Sequence, residues 1–119
     1  MAVQIFGSAK STDTRKAERW FSERRVSFQS INLKEKAMSP GELESVLSLL
    51  ARETGSTAAA LELLADSSNR DYASIAYLDD EDKKQKLLES PLLMRLPVVR
   101  FGKNAATVGY CPEVWKDWL

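Results

Sequence analysis

The sequence predicts an α/β domain on a mixed four-stranded sheet, with a block of helices inserted between the second and third strands. Three observations carry this expectation. A short apolar run, Ala2–Phe6, is followed by an amphipathic helix and a second β-prone run; a strand-helix-strand unit of this length closes as a right-handed crossover with its strands parallel. Near the other end, Pro97–Phe101 and Ala105–Val108 flank the turn residues Gly102-Lys103-Asn104, the pattern of a hairpin. Between the two lie residues 39–90, whose apolar positions and caps are mostly helical.

Each element has a local reason. Ala2–Phe6 is β-prone and mostly apolar, as a strand covered on both faces must be, and Gly7 stops it. From Thr12 onward Ala17, Trp20 and Phe21 recur at helical spacing, with Arg15, Lys16, Glu18, Arg19, Glu23 and Arg24 on the wet side. Val26, Phe28, Ile31 and Leu33 mark the second strand. Ser39-Pro40-Gly41-Glu42 fits a capping box with proline at the first helical position; Leu43, Val46, Leu47 and Leu50 follow as an apolar stripe, and Thr54-Gly55 is the stop. Ser56 caps the next helix, whose inward face is Ala60, Leu61 and Leu64. Asp66–Asp71 breaks the periodicity and reads as an exposed loop. Tyr72, Ile75 and Tyr77 mark a short helical piece, and Asp79 opens another whose acids precede Lys83, Lys84 and Lys86, the order the helix dipole favours. Pro91 ends or restarts that helix, and Leu92-Leu93-Met94 forms a compact apolar turn. After the hairpin, Pro112 starts a final helix with Val114, Trp115, Trp118 and Leu119 on one face.

Composition excludes several classes of function. The 119 residues amount to one domain, expected to span 1–119, and 44% hydrophobic with 29% charged residues is a globular balance. Lys+Arg and Asp+Glu both number 17, which gives no argument for nucleic acid or an acidic membrane surface. With one cysteine, Cys111, and no histidine, the chain has neither an internal disulfide nor the usual ligands of structural zinc. Asp79-Asp80-Glu81-Asp82 lacks calcium-loop spacing and reads as a helix start. Strand residues begin directly after Met1, and no apolar run approaches the roughly 20 residues that span a bilayer. A cytoplasmic monomer is expected.

The turn Phe6-Gly7-Ser8-Ala9-Lys10-Ser11-Thr12-Asp13-Thr14-Arg15 joins the first strand to the first helix. A helix start offers unpaired N–H groups and the positive end of a dipole, a place for an anion or a reactive side chain. The spacing Gly7, three residues, Ser11, three residues, Arg15 resembles the opening of the arsenate reductase (ArsC) family, a thioredoxin-superfamily branch that includes the YffB-like proteins and the Spx regulators. Members run strand, glycine or histidine, three residues, then Cys-x-x-x-Arg. A second block, Pro91-Leu92-Leu93-Met94-Arg95-Leu96-Pro97-Val98-Val99 with Gly102 and the final helix after Val108-Gly109-Tyr110-Cys111-Pro112, resembles the same family. The resemblance implies a thioredoxin-like (glutaredoxin-like) fold, with a core of about residues 1–34 and 91–119 and a helical insertion of about 39–90. It also implies a cis Leu96–Pro97 bond, with Pro97 facing the Ser11 loop.

The departures fall on the family's chemistry. An arsenate reductase uses a low-pKa cysteine to attack the oxyanion, arginines to hold it, and glutathione with glutaredoxin for recycling. By the resemblance Ser11 stands at the nucleophile position, and Leu96 stands where an arginine precedes the cis-proline. Arg95 lies one residue earlier, and in an extended segment one residue reverses the side-chain direction. Tyr110 falls where a further arginine is expected, and Arg70, the nearest candidate for the insertion's arginine, sits in a loop of altered length.

The residues themselves read more plainly. Ser11 is a helix cap or a simple anion contact, because a hydroxyl needs an adjacent base to attack and the chain has no histidine. Lys10, Ser11, Thr12 and Arg15, with Arg95, Pro97 and Tyr110 from the far end, are the candidate anion- or thiol-binding residues. Cys111 has no cation beside it in sequence and reads as an idle thiol; Trp20, Trp115 and Trp118 read as core. The sequence thus points to an ArsC-like protein that does not reduce arsenate and binds a small anion, a thiol compound or a protein partner. The alternative is a glutathione-dependent oxidoreductase or transferase in which Ser11 hydrogen-bonds the glutathione thiolate, with glutathione a co-substrate and no resident cofactor or metal. A third reading is a structural remnant whose partner surface is the insertion.

Overall fold

The structure, a computed structural model, describes residues 2–119. Strand β1 (Val3–Gly7) pairs in parallel with β2 (Phe28–Asn32), and helix α1 (Thr12–Glu23) makes the crossover between them. On the other side of β1 lies β3 (Val98–Phe101), antiparallel, with Ile5 opposite Val99; β4 (Ala105–Val108) completes the hairpin. The order is β2-β1-β3-β4. Between β2 and β3 run α2 (Pro40–Thr54), α3 (Thr57–Leu64), α4 (Ala73–Ala76), α5 (Asp80–Glu89) and a 3-10 turn at Pro91–Leu93. After the hairpin, α6 (Pro112–Trp115) passes into a 3-10 turn at Lys116–Trp118. This is the mixed, thioredoxin-like sheet that the sequence predicts, and the Leu96–Pro97 bond is cis.

The helix starts form where capping residues stand. Ser11, Ser39, Ser56 and Asp79 each accept the backbone N–H three residues on. Glu42 returns the bond to the Ser39 N–H at 2.9 Å, closing the expected capping box. Helix α2 ends at Gly55, whose φ of 97° is the left-handed conformation that glycine adopts without a Cβ penalty.

The sheet separates two cores, because neighbouring residues of a strand point to opposite faces. Val3 and Ile5 of β1 and Val99 of β3 pack with Ala17, Trp20, Phe21 and Trp115. Phe6 and Val98 face the insertion, where Leu43, Leu47, Leu50, Leu61, Leu64 and Leu87 are buried. The first core is aromatic and directional: the Trp115 ring lies 5.5 Å from Trp20 and 5.1 Å from Phe21, and its indole N–H donates to Thr107 Oγ1 at 2.8 Å. The second is aliphatic, and it makes the insertion the cover for one whole face of the sheet.

Two expectations fail at short helices. Val114 and Leu119 do not join Trp115 in the core but are 40% and 52% exposed, while Trp118 stacks on Phe101 at 5.3 Å. Helix α6 is a single turn before the 3-10 segment, so a 3.6-residue period cannot continue through it. Tyr77, grouped with Ile75 by spacing, is 95% exposed, because α4 ends at Ala76.

Candidate functional site

The turn between β1 and α1 is folded on itself. Thr14, which is buried, lies directly against the Gly7 backbone: a Cβ at Gly7 would sit 2.3 Å from Thr14 Cγ2. The Ser8 N–H points to Thr14 Oγ1 at 3.4 Å, and the Ser11 N–H donates to Ser8 O at 3.0 Å. Ser11 Oγ accepts from the Thr14 N–H at 3.1 Å, and Ser11 O accepts from the Arg15 N–H. Of the amides at this helix start, those of Thr12 and Asp13 remain for solvent or a ligand.

Ser11, Thr12 and Asp13 open onto a cleft of about 400 Å³. Asp66 and Ser68, from the loop after α3, line it too, as do Leu92, Met94, Arg95 and Leu96. Backbone pairing brings the last two segments together: Ala65 and Met94 form an antiparallel bridge, the Asp66 N–H donates to Leu93 O at 2.8 Å, and the Arg95 N–H donates to Leu64 O at 2.7 Å. The Arg95 side chain donates from Nε to Leu63 O at 3.3 Å and places Nη1 3.8 Å from Asp66 Oδ1. That same carboxylate oxygen accepts from the Ser68 N–H at 3.0 Å and the Ser68 hydroxyl at 2.7 Å. The cleft therefore carries two carboxylates, Asp13 and Asp66, and one guanidinium.

The residues singled out in the sequence divide. Ser11, Thr12 and Arg95 line the cleft; Lys10 and Arg15 are exposed and do not. Tyr110 packs edge-on against Trp115 and beneath the Lys16 ammonium instead. Pro97 is buried next to the lining residue Leu96, and its carbonyl accepts from the Gly109 N–H at 2.8 Å. Arg95 and Leu96 both border the cleft, and the Arg95 side chain turns to Leu63 O and Asp66. Residues 95–97 precede β3 and have no regular strand geometry to enforce alternation. Sequence reasoning missed Asp13, Asp66 and Ser68. The Asp-x-Ser spacing signalled a side-chain turn, but nothing local signalled its pairing with a segment 28 residues on.

Cys111 is half-buried, and its Sγ–H donates to Val108 O at 3.3 Å. Burial pushes the thiol's pKa up, and the charges of Glu113, Glu53 and Asp13 push it the same way. Among the described residues no three histidine, cysteine, aspartate or glutamate side chains gather as a metal site, and no helix is long and apolar enough to cross a membrane.

No family model matches the chain, and no curated protein matches it. Solved structures do. An ArsC family related protein from Bacteroides fragilis superposes with a TM-score of 0.80 at 17% identity, over 100% of both chains. A YffB protein gives 0.79 at 17% identity, over 97% of this chain and 96% of that one. An arsenate reductase from Vibrio cholerae gives 0.78 at 20% identity, over 100% and 98%. The chain has the fold of these proteins throughout its length.

Proposed function

We propose that this chain is a member of the arsenate reductase family that keeps the fold, has lost the thiol route, and works by binding a small anion or thiol compound at the Ser11 cleft, or a protein partner. One observation carries the reading. The Ser11 hydroxyl, at what the family pattern makes the nucleophile position, serves as the helix cap, and its hydrogen bond is to the Thr14 N–H rather than to a base. A serine attacks only when a neighbouring group takes its proton; the chain has no histidine, and Lys10 lies outside the cleft lining. The chain's one thiol, Cys111, has its pKa raised, which lowers the thiolate fraction at neutral pH.

A second reading is favoured by the charges of both signs in the cleft: glutathione binds there and Ser11 hydrogen-bonds its thiolate. In that case the protein is a glutathione-dependent oxidoreductase or transferase.

An assay with arsenate, glutathione and glutaredoxin separates binding from turnover. Consumption of reductant should stay at background. Sustained turnover that Ser11→Ala or Cys111→Ala abolishes would overturn the first reading. Alkylation of Cys111 by iodoacetamide supplies a check on the thiol. At pH 7 it should be slower than that of a short cysteine peptide, rising only as pH passes above the ordinary thiol range, because a raised pKa keeps the group protonated over a wider range.

A further inference from the structure

We propose that the cleft selects ligands presenting a carboxylate beside an ammonium, the amino-acid end of a peptide or a free amino acid, and turns away inorganic oxyanions. This rests on the binding reading above and names a ligand class for the same site.

The charges decide it. A phosphate- or arsenate-like dianion entering the cleft meets the carboxylates of Asp13 and Asp66, with Arg95 as the one compensating cation in the lining. Lys10 and Arg15, which would have reversed that balance, lie outside it. The exposed amides at the start of α1 favour an anion, but Asp13 already stands in that first turn.

A ligand of both signs matches what is there. Arg95 is anchored through Nε to Leu63 O, and its Nη1 sits 3.8 Å from Asp66, an ion-pair contact longer than a hydrogen bond. The rest of the planar fork is left for a ligand carboxylate, which it fits in two-point geometry. On Asp66, Oδ1 serves the Ser68 turn, and Oδ2 is left to accept from an ammonium. The Ala65–Met94 bridge fixes the spacing of the two groups, so the cleft presents a donor fork and an acceptor at a set separation. Leu92 and Leu96 supply apolar surface for the ligand's carbon atoms.

The test is an amide-shift titration of the full chain with inorganic phosphate, arsenate, glutathione, glutamate, and the glutathione analogue in which a glutaryl group replaces γ-glutamyl and so lacks the ammonium. Glutathione, or glutamate, should shift the amides of Ser11–Arg15 and Asp66–Ser68 at concentrations below those needed for either oxyanion. Glutathione acting alone assigns a peptide; glutamate acting equally well assigns the amino-acid end itself. Loss of the ammonium should weaken binding by about fivefold, the scale of one partly exposed ion pair. Asp66→Asn keeps an oxygen for the Ser68 turn and removes only the charge, so it should weaken glutathione and strengthen phosphate by similar factors. Phosphate or arsenate binding as tightly as both amino-acid probes, or the deaminated analogue binding as tightly as glutathione, overturns the inference and leaves a small-ligand site standing. If no probe shifts these amides, the small-ligand reading fails and the inference with it.

Discussion

The two sides of the cleft are built differently. On the helix side, Gly7, Ser11 and Thr14 interlock: a side chain fills the space a missing Cβ leaves, and a hydroxyl caps the helix that carries it. On the insertion side, Asp66 and Arg95 are held by backbone pairing to Leu93 and Leu64, Ser68 is tied to the Asp66 carboxylate, and the side chains meet through partly exposed contacts. The difference separates two tasks. The helix side sets geometry and is costly to alter, whereas the other side carries most of the cleft's charge, Asp13 apart, and can be changed with little effect on the fold.

Substitution breaks or sharpens that contrast. The largest effect should come from Gly7→Ala, whose new Cβ overlaps Thr14 at 2.3 Å and 2.5 Å. Overpacking of this kind costs about 1–3 kcal/mol, read from urea unfolding midpoints. Thr14→Ala removes both overlapping atoms, so the double variant should lose less than the sum of the single losses; strict additivity would mean that the two residues do not interlock. Ser11→Ala should cost about 1 kcal/mol through the lost cap, and Ser11→Asp should restore most of it, since aspartate caps as well as serine. An unchanged midpoint for Ser11→Ala would mean that the hydroxyl is free. Smallest of all, Asp66→Asn and Arg95→Gln should each shift stability by no more than about 1 kcal/mol, as expected of a partly exposed pair. A loss of several kcal/mol would make the insertion side as structural as the helix side.

What was legible in the sequence follows the same division. The serine and aspartate caps, the capping box and the Gly55 stop are local, so each could be read from a few neighbouring letters. Ser11 and Thr12 were legible as part of the cleft because they open a helix. The opposite side was not, because Asp66 reaches the cleft through pairing with Leu93 and Met94, and long-range pairing leaves no mark in a short window. The Asp66–Asp71 stretch therefore reads as an exposed loop, although its first residue is half-buried and bonded to Ser68. The alternation expected of Arg95 and Leu96 has no regular strand to act in, because β3 begins only at Val98. Lys10 and Arg15 enter the candidate set as cations flanking the helix start, Arg15 also through the family spacing; both are exposed, and neither lines the cleft.

The claim on which the functional reading turns is that the Ser11 oxygen caps and does not react. Acid-quenched protein, incubated with arsenate and glutathione or with a glutathione disulfide and then digested, can be weighed by mass spectrometry at the peptide that carries Ser11. The peptide should keep its unmodified mass at every time point. A mass increase localised to the Ser11 oxygen, forming and decaying at the rate at which reductant is consumed, would contradict the account.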